Sequence, residues 1–199
     1  MKNEFFLLAS FLLAGTFTRA QNQEIFFDVI YKDEKVGVLH AKETNTGSKS
    51  VKLLTIETKT TFLFIPIHME SEVNTTQENG VLMEGTAYRN ASRKSSDVVS
   101  TVKKIGPRLY QRELNGVKDK IKNLRITSCV VNLYFNEPLG VTRVFSNMYA
   151  QMLKLKRIDK GQYRLITPDN SNSLYLYRDG KLISIEVDTV VGKVISKRI

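Results

Sequence analysis

Residues 174–185 of the chain are Leu174-Tyr175-Leu176-Tyr177-Arg178-Asp179-Gly180-Lys181-Leu182-Ile183-Ser184-Ile185, a run of large apolar residues interrupted by Asp-Gly. Apolar residues at every second position indicate β-strands, and Asp-Gly between two such runs indicates a two-residue type I′ turn. The stretch therefore predicts a β-hairpin, and it sets the fold class that we expect for the whole chain.

The register that this turn predicts gives the hairpin two different faces. Leu176 is expected to oppose Ile183, and Tyr177 to oppose Leu182. The aliphatic face is expected to enter the core, and it comprises Leu174, Leu176, Ile183, Ile185 and Val187. The other face is amphipathic, suited to a covering loop, a ligand or a partner, and it comprises Tyr175, Tyr177, Leu182 and Ser184.

The same two-residue period dominates the chain after Gln21, most clearly over residues 51–64. Only residues 128–133 and 146–151 are compatible with a short helix. We therefore predict an all-β fold: a single antiparallel curved sheet or partly closed barrel with at most one or two short helices. The polar stretch over residues 90–100 is the expected mobile loop.

A second hairpin is predicted around Asn115-Gly116. A type I′ turn there makes Leu114 face Val117. Glu113 then opposes Lys118, and Arg112 opposes Asp119. Because both faces of this hairpin carry an opposite-charge pair, we expect its tip to project into solvent.

The amino terminus has the features of a signal peptide. An apolar run over residues 5–17 follows Lys2 and is too short to span a membrane. Small Thr18 and Ala20 then predict cleavage after Ala20. We expect residues 21–199 to form a single exported β-rich domain without a transmembrane helix.

Composition limits the chemistry of the chain. Its single cysteine, Cys129, excludes an intrachain disulfide framework and a multi-cysteine zinc site. Cys129 is predicted to be a buried apolar residue and not a nucleophile. No motif of acyl transfer or phosphate binding occurs, so no catalytic residue and no cofactor are predicted.

The chain has a formal net charge of +10, and part of its basic character follows a defined pattern. Lys118, Lys120 and Lys122 alternate along one predicted strand and share a face, while Arg108 and Arg112 line the other face with Tyr110. An exported protein rarely meets nucleic acid, so anionic lipid headgroups or acidic glycans are the expected partners, with peripheral membrane contact. The alternative is that these lysines keep the protein soluble and protect a sheet edge.

One grouping has the residue types of a metal site. His68, Glu70 and Glu72 point to the same face of a strand, and imidazole with carboxylates can bind zinc or iron. An ordinary half-buried strand has the same composition, so the solvated face stays the alternative.

The most distinctive segment is Leu133-Tyr134-Phe135-Asn136-Glu137-Pro138, in which Pro138 restricts Glu137 to extended geometry. Its large side chains indicate either a packed corner or a corner that contacts a ligand. Under the second interpretation the ligand-binding candidates, expected at the rim of a concave apolar face, are Tyr134, Phe135, Glu137, Tyr175 and Tyr177.

Several short motifs resemble an uncharacterised family of secreted β-rich proteins from Bacteroidota-type bacteria. The resemblance rests on Leu-Tyr-Phe-x-Glu-Pro at 133–138 and on matching segments at 26–29, 35–37, 144–146 and 175–182. It implies a secreted domain and transfers no catalytic residue. The pattern is also similar to periplasmic β-sheet proteins related to unclosed lipoprotein-carrier barrels, an analogy of fold only.

These observations predict an exported, non-catalytic envelope protein. Its expected ligand is apolar or anionic, such as a lipid, or a partner protein. The alternatives left open are an envelope hydrolase or metal-binding protein using His68, Glu70 and Glu72, a small outer-membrane β-barrel, and a structural or adhesion module.

Overall fold

A computed structural model describes residues 20–62, 65–91, 97–169, 171–189 and 192–199. These residues form one antiparallel sheet of fourteen strands, which confirms the predicted all-β fold. The strands are β1 (Gln21–Tyr31), β2 (Glu34–Thr46), β3 (Lys49–Phe62), β4 (Ile65–Glu78), β5 (Val81–Ala91), β6 (Val98–Gly106), β7 (Leu109–Leu114), β8 (Val117–Lys122), β9 (Arg143–Ser146), β10 (Gln151–Asp159), β11 (Gln162–Ile166), β12 (Ser173–Arg178), β13 (Lys181–Thr189) and β14 (Gly192–Arg198).

The strand order explains how one sheet accommodates fourteen strands. β1–β8 and β9–β14 each form a meander in which every strand pairs with its neighbour in sequence. The two meanders are joined where β14 pairs with β1, for example at Phe27 opposite Arg198. The two edges of the sheet are therefore β8 and β9, which lie far apart in the ladder.

The sheet is nevertheless curved enough for a turn next to one edge strand to contact strands near the other edge. The turn at residues 147–150, after β9, reaches the inner side of β5–β7. There the Ser100 hydroxyl donates to the Asn147 carbonyl, and the Arg112 guanidinium donates to the Ala150 carbonyl at 2.7 Å. These hydrogen bonds link the two regions, while the sheet itself stays open because β8 and β9 do not pair.

The interior is filled by the chain itself. Residues 123–142, which we call the inner segment, run between β8 and β9 and include a five-residue 3-10 turn, Val130–Tyr134. The Leu82 amide donates to the Ile126 carbonyl, and the Phe145 amide donates to the Ser128 carbonyl. Apolar side chains on a concave sheet face are stabilised when they are removed from water. Here the inner segment covers that face.

The two predicted helices have different outcomes. The first, over residues 128–133, is realised as the 3-10 turn of the inner segment. The second, over residues 146–151, is wrong: those residues form the β9–β10 turn, and Ala150 adopts a positive φ of 47°. That left-handed conformation is incompatible with continuing a right-handed helix.

The Asn115-Gly116 hairpin has the predicted register throughout. Leu114 pairs with Val117, Glu113 with Lys118 and Arg112 with Asp119. Val117 is 70% exposed, in agreement with a tip in solvent.

The Asp179-Gly180 hairpin has the predicted turn but a different register. Tyr177 pairs with Leu182 as expected, whereas Leu176 pairs with Ser184, because Ile183 is an extra residue that forms a β-bulge. Tyr175 therefore lies opposite Ile185, and both are buried. On β12 the expected faces are exchanged: the tyrosines enter the core, and Leu174 and Leu176 are only partly buried. On β13 Ile185 is buried as expected.

The expected loop at residues 90–100 is shorter than predicted. β5 continues to Ala91 and β6 begins at Val98. Residues 92–96 lie outside the described residues.

Candidate functional site

The predicted ligand-binding tyrosines meet in the core, not at a rim. Tyr134, Phe135, Tyr175 and Tyr177 are between 3% and 8% exposed. The Tyr134 ring packs edge-on against Phe27 of β1 and against Tyr175 of β12, with ring centroids 6.1 and 6.3 Å apart. The expected position at a rim is therefore wrong. Tyr134 and Phe135 belong to the inner segment, and this segment covers the sheet face on which Tyr175 and Tyr177 lie.

Hydrogen bonds hold the inner segment to these tyrosines. The Tyr177 hydroxyl donates to the Leu133 carbonyl, and the Tyr163 hydroxyl donates to Glu137 Oε1 at 2.8 Å. Burial raises the pKa of Tyr134, Tyr175 and Tyr177 well above the usual range, so that each phenol stays protonated. Glu137 thus joins the inner segment to Tyr163 of β11. Pro138 restricts Glu137 to extended geometry, which is compatible with this contact.

Tyr163 was not among the predicted residues. The signal that identifies it is the alternation of Tyr163 and Leu165 in a short strand, which places both on the buried face. Its ring packs edge-on against Tyr177 with centroids 5.5 Å apart.

A buried polar network holds Asn132, the residue of the inner segment that precedes Leu133. Lys52 Nζ lies 2.8 Å from Glu43 Oε1 and donates to Gln77 Oε1 at 3.2 Å. The Asn132 side-chain amide donates to the same Gln77 oxygen at 2.9 Å. The sequence indicates this network only through Lys52, a lysine at an inward position of the Val-, Leu- and Ile-rich strand β3.

Beside these attachments the inner segment leaves a cavity of about 190 Å³ against β3–β5. Its floor consists of the buried side chains Leu54, Val73, Val131 and Tyr134. Its mouth consists of partly exposed side chains: Ile56, Met69, Arg89, Val130 and Met148. An apolar cavity of about 150 Å³ admits benzene, so this one admits an apolar group of slightly larger size.

Polar groups lie at one side of the cavity. Ser71, Ser146 and Asn147 are buried in its wall, and Arg89 adds a positive charge at the mouth. Asn147 Nδ2 is buried and has no hydrogen-bond partner among the described residues. It packs so closely on Gly85 that a Cβ there would lie 2.0 Å from it.

The predicted metal grouping is only partly assembled. His68 Nε2 lies 2.8 Å from Glu70 Oε1, on the outer face of β4. The third carboxylate near them is Glu57 of β3, and the ligand atoms of these three residues lie within 4.8 Å of one another. Glu72 lies one pair further along, opposite Thr55 and Tyr88, and is not part of this group.

Both histidines lie on the outer face of the sheet. His40 alternates with the buried residues Leu39 and Ala41, and its ring stacks on Phe26 at a centroid distance of 4.3 Å. His40 Nε2 lies 3.3 Å from Glu24 Oε2. The other oxygen of the same carboxylate, Glu24 Oε1, lies 2.8 Å from Lys42 Nζ.

The basic residues divide into two groups. Lys118, Lys120 and Lys122 are exposed on the outer face of the edge strand β8, in the predicted register with Glu113, Gln111 and Leu109. Arg112 bonds to Asp119 and to the Ala150 carbonyl, and Arg108 donates to the Asn123 carbonyl at 3.1 Å. The arginines therefore have structural contacts, and the lysines form the exposed basic surface.

In the part of the chain that the structure describes, no helix is long and apolar enough to cross a membrane. The protein is an all-β protein with an open antiparallel sheet. The sheet encloses a segment of its own chain, and a small apolar cavity lies beside that segment. The chain belongs to the DUF6134 family, a domain of unknown function, whose sequence profile matches residues 27–199. No curated protein and no solved structure matches the chain significantly.

Proposed function

We propose that the protein is an exported, non-catalytic binding protein of the bacterial envelope, one of the secreted Bacteroidota-type proteins that its Leu-Tyr-Phe-x-Glu-Pro segment resembles. Its ligand is amphipathic, with an apolar group in the cavity between the inner segment and β3–β5. The observation that carries the proposal is this cavity, with an apolar floor and a partly exposed mouth.

The size of the cavity limits the ligand. At about 190 Å³ it is smaller than the ~300 Å³ from which sites for whole small molecules begin. It therefore holds one part of a larger molecule, such as the end of an acyl chain. Arg89 at the mouth favours an anionic group on the part that stays outside.

The exposed lysines of β8 support an envelope location. Lys118, Lys120 and Lys122 lie on one outward face. Near an anionic membrane surface each lysine contributes about 1 kcal/mol of attraction. Such a surface would hold the protein close to the lipids that supply its ligand.

The experiment is a binding titration with decanoic acid, preceded by native mass spectrometry of the protein purified from its host. We expect a retained lipid-like mass and saturable binding of decanoate. Ile56→Trp places a large ring at the mouth and is expected to weaken binding at least tenfold. Val99→Trp, on the exposed outer face of β6, is the matched control and should bind like the parent protein.

The contribution of Arg89 is tested by comparing decanoate with decanol. Arg89→Met should weaken the binding of the carboxylate more than that of the alcohol. Absence of any retained ligand together with no saturable binding of either compound would overturn the proposal.

A further inference from the structure

On the outer face of the β3–β4 hairpin, two carboxylates occupy a directly opposed pair of positions, an arrangement of like charges that is unfavourable in a sheet. Glu57 and Glu70 lie directly opposite each other in the ladder, and His68 lies opposite Lys59 in the next outward pair. Like charges in directly opposed positions destabilise a sheet unless a cation lies between them.

We propose that Glu57, His68 and Glu70 form a binding site for a divalent transition metal ion, with Zn²⁺ as the probe. One imidazole nitrogen and two carboxylate oxygens are the ligand types that suit Zn²⁺ among the first-row metals. The site is independent of the cavity, because it lies on the opposite face of β3 and β4.

The distances require little rearrangement. The three ligand atoms lie within 4.8 Å of one another. Tetrahedral zinc with bonds of about 2.0–2.2 Å separates its ligand atoms by about 3.4 Å. Glu57 and Glu70 are exposed and His68 is partly exposed, so changes of side-chain rotamer can close the difference without moving the strands.

Lys59 is the competitor for this position. Its ammonium lies 2.8 Å from Glu57 Oε1, and it lowers the pKa of the Glu57 carboxyl through a hydrogen bond and its charge. An ion pair between exposed side chains contributes little to stability, so displacing Lys59 costs little. Removing the lysine should therefore strengthen metal binding, which a merely structural ion-pair cluster would not do.

The chain offers a matched control for each ligand. It contains only two histidines, and His40 also lies beside a carboxylate on the outer face. Cys129, the only thiol, is buried. Glu72 lies on the same outer face of β4 as Glu70, two residues further along, outside the cluster.

The test is calorimetric titration of the metal-free protein with ZnCl₂ in a non-chelating buffer. We expect one ion per chain, with binding weakened at least tenfold by Glu57→Gln and by His68→Gln. His40→Gln and Glu72→Gln should bind like the parent protein, and Lys59→Met should bind several-fold more tightly. X-ray absorption of the zinc-loaded protein should show one imidazole nitrogen together with oxygen ligands.

Three results would overturn the proposal: no saturable binding, affinity that is unchanged in Glu57→Gln, or affinity that is lost in His40→Gln. All these side chains lie on the outer face, and circular dichroism of each variant confirms that the fold is retained. Decanoate binding serves as an independent readout and should be unaffected by the substitutions.

Discussion

Lys52 and Glu43 form an ion pair inside the sheet, with Lys52 Nζ 2.8 Å from Glu43 Oε1 and both side chains buried. They lie opposite each other on β3 and β2. Through Gln77 they also hold Asn132 of the inner segment. The middle of the segment that shapes the cavity therefore depends on a buried charge pair.

Breaking this pair from one side should be costly. Lys52→Met leaves the Glu43 carboxylate buried without its cation, and we expect a loss of about 3–5 kcal/mol in the free energy of unfolding. The double variant Lys52→Met with Glu43→Leu should recover most of that loss, because both charges are gone. Urea denaturation of the parent and the two variants measures the effect, and a double variant no more stable than Lys52→Met would contradict this account.

The next residue of the inner segment, Leu133, is held by a tyrosine hydroxyl. Tyr177→Phe leaves the buried Leu133 carbonyl without its donor, and we expect a loss of about 1–3 kcal/mol. Tyr88→Phe is the control, because Tyr88 is 45% exposed on the outer face of β5. Its effect should stay within about 0.5 kcal/mol. Equal losses in both variants would show that the bond to Leu133 has no special weight.

The contact between β5 and the β9–β10 turn depends on the absence of a side chain at Gly85. A Cβ there would lie 2.0 Å from Asn147 Nδ2, so Gly85→Ala should cost about 1–3 kcal/mol by overpacking. Gly106→Ala is the control, because the nearest atom would lie 3.4 Å away. Adding Asn147→Ala to Gly85→Ala should restore part of the stability. Thermal unfolding of the single and double variants checks this, and a double variant no more stable than Gly85→Ala would contradict it.

Stability should fall in alkali. Burial raises the pKa of the Cys129 thiol from 9.0 to about 12, and burial with a hydrogen bond to Asp169 raises that of the Tyr149 phenol from 10.0 to about 12. Both groups ionise more readily in the unfolded chain, so their contribution is complete below about pH 9 and is lost as pH rises to about 12. Each contributes a slope of up to about 1.4 kcal/mol per pH unit.

Denaturant unfolding at a series of pH values from 8 to 11 measures that slope. Cys129→Ala should have a smaller slope than the parent protein, because one of the groups that ionise more readily in the unfolded chain has been removed. In the native protein at pH 8 the thiol should also react with a disulfide reagent only as fast as the protein unfolds. Rapid native reaction or an unchanged slope would contradict the burial of Cys129.

The two hairpins show how far local sequence determines register. Asn115-Gly116 has the predicted pairing because its turn and its flanking charges act within a few residues of one another. Asp179-Gly180 has the same left-handed turn, with φ of 51° and 73°, but a bulge at Ile183 shifts the pairing beyond it by one residue. Tyr175 then lies opposite Ile185 on the buried face, where it packs against Tyr134, a contact with a distant part of the chain that no local rule includes.

The candidate site was predictable in composition but not in position. The sequence selected Tyr134, Tyr175 and Tyr177 as one group, and they do meet. A packed corner and a ligand-contacting corner both stayed open, because the sequence could not show that residues 123–142 pass through the interior. For the same reason Glu72 was chosen in place of Glu57, since the alternation of one strand does not reveal what its neighbour places beside it.

Local patterns were sufficient to predict an antiparallel sheet, the positions of its type I′ turns and the alternation of residues along each strand, because these properties depend on backbone preferences and on neighbours within a few residues. Which face is inner, what covers it and where space remains could not be read from those patterns. These outcomes depend on burying the most apolar surface for the whole chain at once, and here the inner segment covers the concave face.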